Sequence, residues 1–277
     1  MRSNLPDLYD LTKLEAELAG TSFAGKLHFS AVTDSTNSDA QEAARAGAPH
    51  GSVYFADEQL AGRGRGDHAW HSVAGVGLYV SVLLRPQLAA IRLPLLPLAA
   101  GLAASAAIRA TAGLTADLRW PNDLLIGPRK VCGILVESKI EGGSAAYAVV
   151  GIGINVHQRE FADDLSTPAT SLDLEAGRSI SRQSLLASLL KSLEQEALAL
   201  ANSDAVATTL RRIEQASTWI SGRRVEVHGP QACAGVTAGL DKYGFLLVRT
   251  ESGVVTVQTG GIRATTCGGA DAFGPAH

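Results

Sequence analysis

The stretch Gly62-Arg63-Gly64-Arg65-Gly66-Asp67-His68-Ala69-Trp70 gathers glycines, forked cations, an imidazole and an indole into one short run. Glycines allow left-handed backbone and close approach, and guanidinium groups and successive N–H groups can converge on a phosphate or carboxylate. Trp70 can cover a purine ring or close the loop by packing. The run alone fits an anion-binding loop, a solvated flexible loop or an RNA-binding Gly/Arg segment. Gly/Arg segments that bind RNA recur inside disordered tails, whereas this one falls between two predicted strands.

Three further segments could join it. Arg119-Trp120-Pro121-Asn122-Asp123 ends an apolar strand, and a proline-fixed turn there presents Asn122 and Asp123 to a phosphate or its metal, or only to their own backbone. Lys130 opens the apolar run 131–136. It can reach a developing oxyanion or simply snorkel from a strand end. Gly133 inside that run implies close approach of a ligand or another backbone. Cys132 reads as a small core residue, because no nearby His or Asp spacing would activate it. Gly151-Ile152-Gly153-Ile154-Asn155 lacks the third glycine and following helix of a dinucleotide fingerprint. It reads instead as a strand pressed against a flat ligand, with Asn155 offering its amide to it.

The scaffold must position these segments. The chain has 277 residues, 46% of them hydrophobic and 18% charged, with a net charge of -3. That length supports a large domain with a small one beside it. The charge gives no general pull toward nucleic acid or anionic membrane. No run reaches the roughly 18 uninterrupted apolar residues of a membrane span, and no signal peptide is visible. Three scattered cysteines argue for a reducing, cytoplasmic setting.

Periodicity predicts a leading helix within residues 1–24, carried by Leu8, Leu11, Leu14 and Leu18. Strands follow at 26–32, 51–57, 78–84, 115–120, 131–138 and 146–155, and helices at 37–46, 93–112, 183–202 and 204–216. Beyond Gly222 the runs 223–228, 233–240, 245–249 and 254–258, separated by turn residues, predict a small antiparallel barrel. The expected class is α+β: a central mixed sheet in residues 1–220, an SH3-like barrel in 221–264 and a disordered tail in 265–277.

Taken in order, the segments resemble the biotin protein ligases. The resemblance rests on Asp34-Ser35-Thr36-Asn37, Glu58-Gln59-Leu60-Ala61-Gly62-Arg63-Gly64-Arg65, Trp70, Trp120-Pro121-Asn122-Asp123, Lys130 through Glu137, and Gly151 through Asn155. Each motif is weak alone; their order is specific. Ala169-Thr170-Ser171-Leu172 is similar to the stretch after that family's adenylate-covering loop. The resemblance implies a mixed-sheet catalytic domain of class II synthetase type. It implies activation of biotin by magnesium-bound ATP and transfer to a lysine of a biotin carboxyl carrier domain.

It also implies roles. Lys130, Arg63 and Arg65 would be catalytic. Ser35, Thr36, Asn37, Gln59, Gly62, Gly64, Gly133 and Gly151 would join them in binding biotin. Arg65, Trp70, Asn122, Asp123 and Asn155 would bind the adenylate, with Asp123 also the magnesium ligand. The roughly 25 residues before the first strand are too few for the helix-turn-helix domain of the bifunctional members, so no DNA binding is expected. Pairing of two copies through their sheets is compatible with the resemblance.

Two departures stand out. Gly66-Asp67-His68 replaces a second basic cluster, and Arg119 stands where the family has lysine. The competing readings are a lipoate or octanoate ligase or transferase of the same superfamily, and a nucleic-acid-binding protein built on the Gly/Arg loop. An octanoyl transferase needs an acyl-cysteine, which Cys132 suits poorly.

Overall fold

The structure, a computed structural model, describes residues 9–66, 68–86 and 88–265. Leu8 and nearly all of the expected tail lie outside the described residues. The leading helix shortens to α1 (Leu11–Glu17), which starts where the Asp10 carboxylate accepts from the Lys13 N–H. Leu14 and Leu18 are buried, whereas Leu11 is exposed.

The main sheet is built from β1 (Leu27–Thr33), β2 (Ser52–Gln59), β3 (Gly77–Leu84), β4 (Asp117–Arg119), β5 (Asp123–Ile126), β6 (Arg129–Glu141) and β7 (Ser144–Asn155). Their spatial order is β1-β2-β3-β7-β6-β5-β4. β1 and β2 run parallel and every other pair is antiparallel, so the sheet is mixed as expected. β3 is buried at every position, which is why its sequence shows no polar alternation.

One face of the sheet carries α3 (Leu95–Ala112) and α5 (Arg182–Ala201), which pack on each other. α3 starts after Pro94 and stops at Gly113, whose φ of 74° terminates it. By length and composition α3 could cross a membrane, but it is mostly buried and serves as the core helix. α2 (Thr36–Arg45) follows β1 and covers the far end of β2, β3 and β7. α4 (Leu172–Ala176) and α6 (Val206–Gln215) complete the helices.

Short or hairpin-driven elements account for most departures from expectation. β5 has only four residues, too few for a periodic signal. β6 runs past the expected 138, because Gly142 and Gly143 (φ 57° and 81°) close a two-residue hairpin that pairs Glu141 with Ser144.

The C-terminal strands are β8 (Ser221–His228), β9 (Cys233–Leu240), β10 (Leu246–Thr250), β11 (Gly253–Val257) and β12 (Gly261–Ala264). They form an antiparallel sheet in the order β11-β10-β9-β8-β12. Its edges β11 and β12 are not joined by a ladder among the described residues, so the sheet stays open where a barrel was expected. Val225, Val227, Leu246, Val248 and Ile262 share one core with the main sheet. The Trp120 indole N–H donates to the Gly244 carbonyl at 3.1 Å across this junction.

Leu189 sits fully buried on α5 in that shared core. Leu189→Ala should lower unfolding stability by about 3 kcal/mol, through lost transfer energy and a residual cavity. Urea midpoints at constant m check this; a change below about 1 kcal/mol would mean the site collapses freely.

Candidate active site

A cavity of about 800 Å³ opens over the middle of the main sheet and is walled at one end by the C-terminal strands. Of the residues singled out in the sequence, Ser35, Thr36, Asn37, Gln59, Arg63, Gly64, Arg65, Trp70, Asn122, Asp123, Lys130, Gly133, Gly151 and Asn155 all line it. Gly62 does not. A Cβ there would strike the Trp70 carbonyl and lie 2.8 Å from the Ser72 hydroxyl, so Gly62 serves the turn rather than a ligand.

The first half of the cavity is neutral and rich in amides and hydroxyls. Ser35 follows β1 by two residues and caps α2 geometrically without a side-chain cap bond, leaving its buried hydroxyl beside the cavity. The Thr36 N–H donates to Gln59 Oε1 at 2.9 Å, and Gln59 Nε2 donates to the Ser72 hydroxyl at 2.7 Å. The Ser81 hydroxyl lies 2.7 Å from Thr36 Oγ1 and donates to Asn37 Oδ1 at 2.6 Å. Asn37 Nδ2 in turn donates to Glu137 at 2.7 Å, and Glu137 accepts from Arg63 at 2.9 Å. These bonds fix the rotamers that a polar, uncharged ligand head would meet.

The strand glycines admit this chain's own side chains. A Cβ on Gly151 would collide with the Asn37 amide. Cβ atoms on Gly153 and Gly133 would stand 2.5 and 2.8 Å from the Trp70 ring. The flat group pressed on β6 and β7 is therefore Trp70, which forms one wall of the cavity. Its indole nitrogen is buried without a hydrogen-bond partner among the described residues.

The second half is cationic. Arg65 donates to the Gly260 carbonyl at 2.8 Å and approaches Asn122 Oδ1 at 3.4 Å, so the Gly/Arg loop is tied to the C-terminal sheet. Asn122 Nδ2 donates to the Ile134 carbonyl at 2.7 Å. Asn155 Nδ2 donates to the Thr170 carbonyl at 3.0 Å. The segment between β7 and α4 closes on Lys130 by backbone bonds, Lys130 N to the Pro168 carbonyl and Thr170 N to the Lys130 carbonyl.

Lys130 Nζ lies 2.6 Å from Asp123 Oδ1 and 5.3 Å from the Trp70 ring centroid. Arg119 takes the other oxygen of Asp123, also at 2.6 Å. Burial alone would raise the Asp123 pKa, but Lys130 and Arg119 outweigh it and hold the carboxyl below its ordinary range.

Asp123 was expected to ligate magnesium, and the geometry does not fit that role. Both carboxylate oxygens already face cations, and no cluster of three or more His, Cys, Asp or Glu suited to a metal occurs among the described residues. Cys132 is fully buried and burial pushes its thiol pKa up, so it cannot serve as a nucleophile.

The sequence reading missed Ser72, Ser81 and Glu137 as site residues. Ser81 is a lone hydroxyl among the aliphatic residues of β3, a signal that was present, whereas Glu137 sits where β6 turns from apolar to polar and carries no such signal. Ser72 is visible only through its bond to Gln59.

An amide-lined half joined to a cationic half suits a small carboxylic acid meeting a phosphate-bearing co-substrate. The profile of the Biotin/lipoate A/B protein ligase family matches residues 29–155. The biotin–[acetyl-CoA-carboxylase] ligase of Mycobacterium tuberculosis is 32% identical over 273 residues, covering 94% of this chain and 97% of that protein. The chain belongs to the biotin protein ligase family.

The bifunctional ligase/repressor BirA of Bacillus subtilis is 40% identical over 166 residues, which are 59% of this chain and 51% of that protein. The chain thus spans about half the length of such relatives. The biotin protein ligase of Aquifex aeolicus, solved with biotin and ATP, superposes with a TM-score of 0.76 at 30% identity, over 87% of this chain and 100% of that one.

Because the Asp123 pKa is depressed below 3.8, its pairing stabilises the fold above that pH and is lost as pH falls through the folded value. Asp123→Asn should cost about 3 kcal/mol near neutral pH, by leaving two cations facing each other. The deficit should shrink as pH falls below 3.8 toward the lower folded value. Urea midpoints across that range check the sign; a deficit independent of pH contradicts it.

Proposed function

We propose that this chain is an ATP-dependent biotin ligase acting on a biotin carboxyl carrier domain. The observation that carries the reading is the single cavity joining the Thr36–Gln59–Asn37 amide network to the Lys130 and Arg65 cations. In the first step the biotin carboxylate attacks the α-phosphorus of ATP. A P–O bond forms, the bond to pyrophosphate breaks, and biotinyl-5′-AMP remains. In the second step the ε-amine of a carrier lysine attacks the acyl carbon. A C–N bond forms, the acyl–phosphate C–O bond breaks, AMP leaves, and the amine gives up a proton.

Each residue has a task. Ser35, Thr36, Asn37 and Gln59 orient the ureido head, with Glu137 and Ser81 fixing their rotamers. Lys130 faces the junction of acid and phosphate, where negative charge gathers in both steps. Arg63 and Arg65 order the loop over the adenylate and hold pyrophosphate. Trp70 walls the acyl chain, while Asn122 and Asn155 lie toward the nucleotide. Magnesium would enter on the nucleotide phosphates, not on Asp123. Buried Cys132 disfavours a route through an acyl-cysteine.

We further assign residues 1–220 to the catalytic unit and the 221–264 sheet to the family's SH3-like unit. A cytoplasmic location is consistent with Cys132 and Cys233 being free thiols among the described residues.

Incubation with ATP, magnesium, a carrier domain and either biotin or lipoate tests the reading. Streptavidin should detect the carrier only in the biotin arm, and Lys130→Ala should slow labelling by about 10²- to 10³-fold. Lipoate incorporation without biotin incorporation would move the chain to the competing ligase.

A further inference from the structure

Asp123 is shared between two cations, and the sharing has a consequence for charge. Lys130 and Asp123 alone form a neutral pair, which presents only a dipole to an incoming phosphate. Arg119 adds one positive charge on the far side of the carboxylate. Both side chains line the cavity, but Arg119 is 10% exposed against 26% for Lys130, so the less accessible cation offsets Asp123 and the more accessible one presents its charge to the cavity. Arg119's other partners among the described residues are uncharged: the Thr167 hydroxyl at 3.0 Å and the face of Trp219 at 5.5 Å. Arg65 is the next cation to feel Asp123, and its own bonds run to Gly260 and Asn122.

We infer that Arg119 is a positioning residue for adenylate formation: by neutralising Asp123, it lets that carboxylate anchor the Lys130 ammonium without cancelling its charge. The inference rests on the proposed role of Lys130. A guanidinium suits the task, because one Nη2 donates to both Asp123 and Thr167 while the plane lies near Trp219. Thr167 belongs to the segment that lines the cavity between β7 and α4, so the same contact links that segment to the Lys130 anchor.

Charge counting predicts an order of effects that a space-filling role would not produce. Removing Arg119 leaves a neutral Lys130–Asp123 pair. Removing Asp123 as well returns Lys130 as a free cation, so the second substitution should rescue the first.

Biotin-dependent ATP–pyrophosphate exchange by the full chain tests this, with near-UV circular dichroism to verify folding. Arg119→Met should lose exchange by about 10²-fold, Arg119→Lys should stay within about tenfold of wild type, and Arg119→Met/Asp123→Asn should regain about tenfold over the single variant. Three results overturn the inference. The first is exchange by Arg119→Met within about threefold of wild type while Lys130→Ala is inactive, which leaves the Lys130 reading intact. The second is a folded double variant no faster than Arg119→Met. If Arg119→Met does not fold, Arg119→Lys decides, and a loss as deep as that of Lys130→Ala in a native spectrum is the third. Full exchange by Lys130→Ala instead removes the Lys130 reading, and the inference with it.

Discussion

The Asp123 carboxylate, held between Lys130 and Arg119, is the interaction on which the rest of the site depends. It stands at the start of β5, a four-residue strand that pairs with β4 and β6 and buries Leu124 and Leu125 in the core. The β5–β6 register sets Asp123 opposite Gly133, and an irregularity between Leu124 and Leu125 brings Lys130 level with the same corner. A buried carboxylate with one cation would be a structural pair. With two, it anchors an amine and leaves net positive charge where the proposed reaction brings phosphate.

The neutral half of the cavity obeys a different rule. There the aim is to hold amides and hydroxyls without spare freedom, and the chain does so by making each donor the acceptor of another. Gln59 bonds Thr36 and Ser72, Ser81 bonds Thr36 and Asn37, and Glu137 receives both Asn37 and Arg63. Glycine is demanded at Gly151 because the Asn37 amide occupies the space of a Cβ, and at Gly153 because the Trp70 ring does. The glycines thus set the depth of the cavity floor through neighbouring side chains.

Much of this was legible from residue types. The apolar run of β3, the helix stop at Gly113 and the cations of the Gly/Arg loop carry their own signals, and all but one of the nominated site residues meet in one cavity. What remained hidden depends on register and on partners distant in sequence. A strand glycine announces a close neighbour without naming it, so Trp70 was mistaken for a ligand's place. Asp123 near a phosphate loop invites a metal assignment, and only the two cations across the ladder argue otherwise. The short strands β5 and β12 offer too few residues for a period, and an open C-terminal sheet has the same local pattern as a closed one.

The most direct test follows the nucleotide. The protein is incubated with biotin and ATP in the absence of any carrier, and the bound and released products are identified by mass. The account predicts biotinyl-5′-AMP retained by the protein and free pyrophosphate. Release of ADP and phosphate, or no biotin-dependent turnover of ATP, would contradict it.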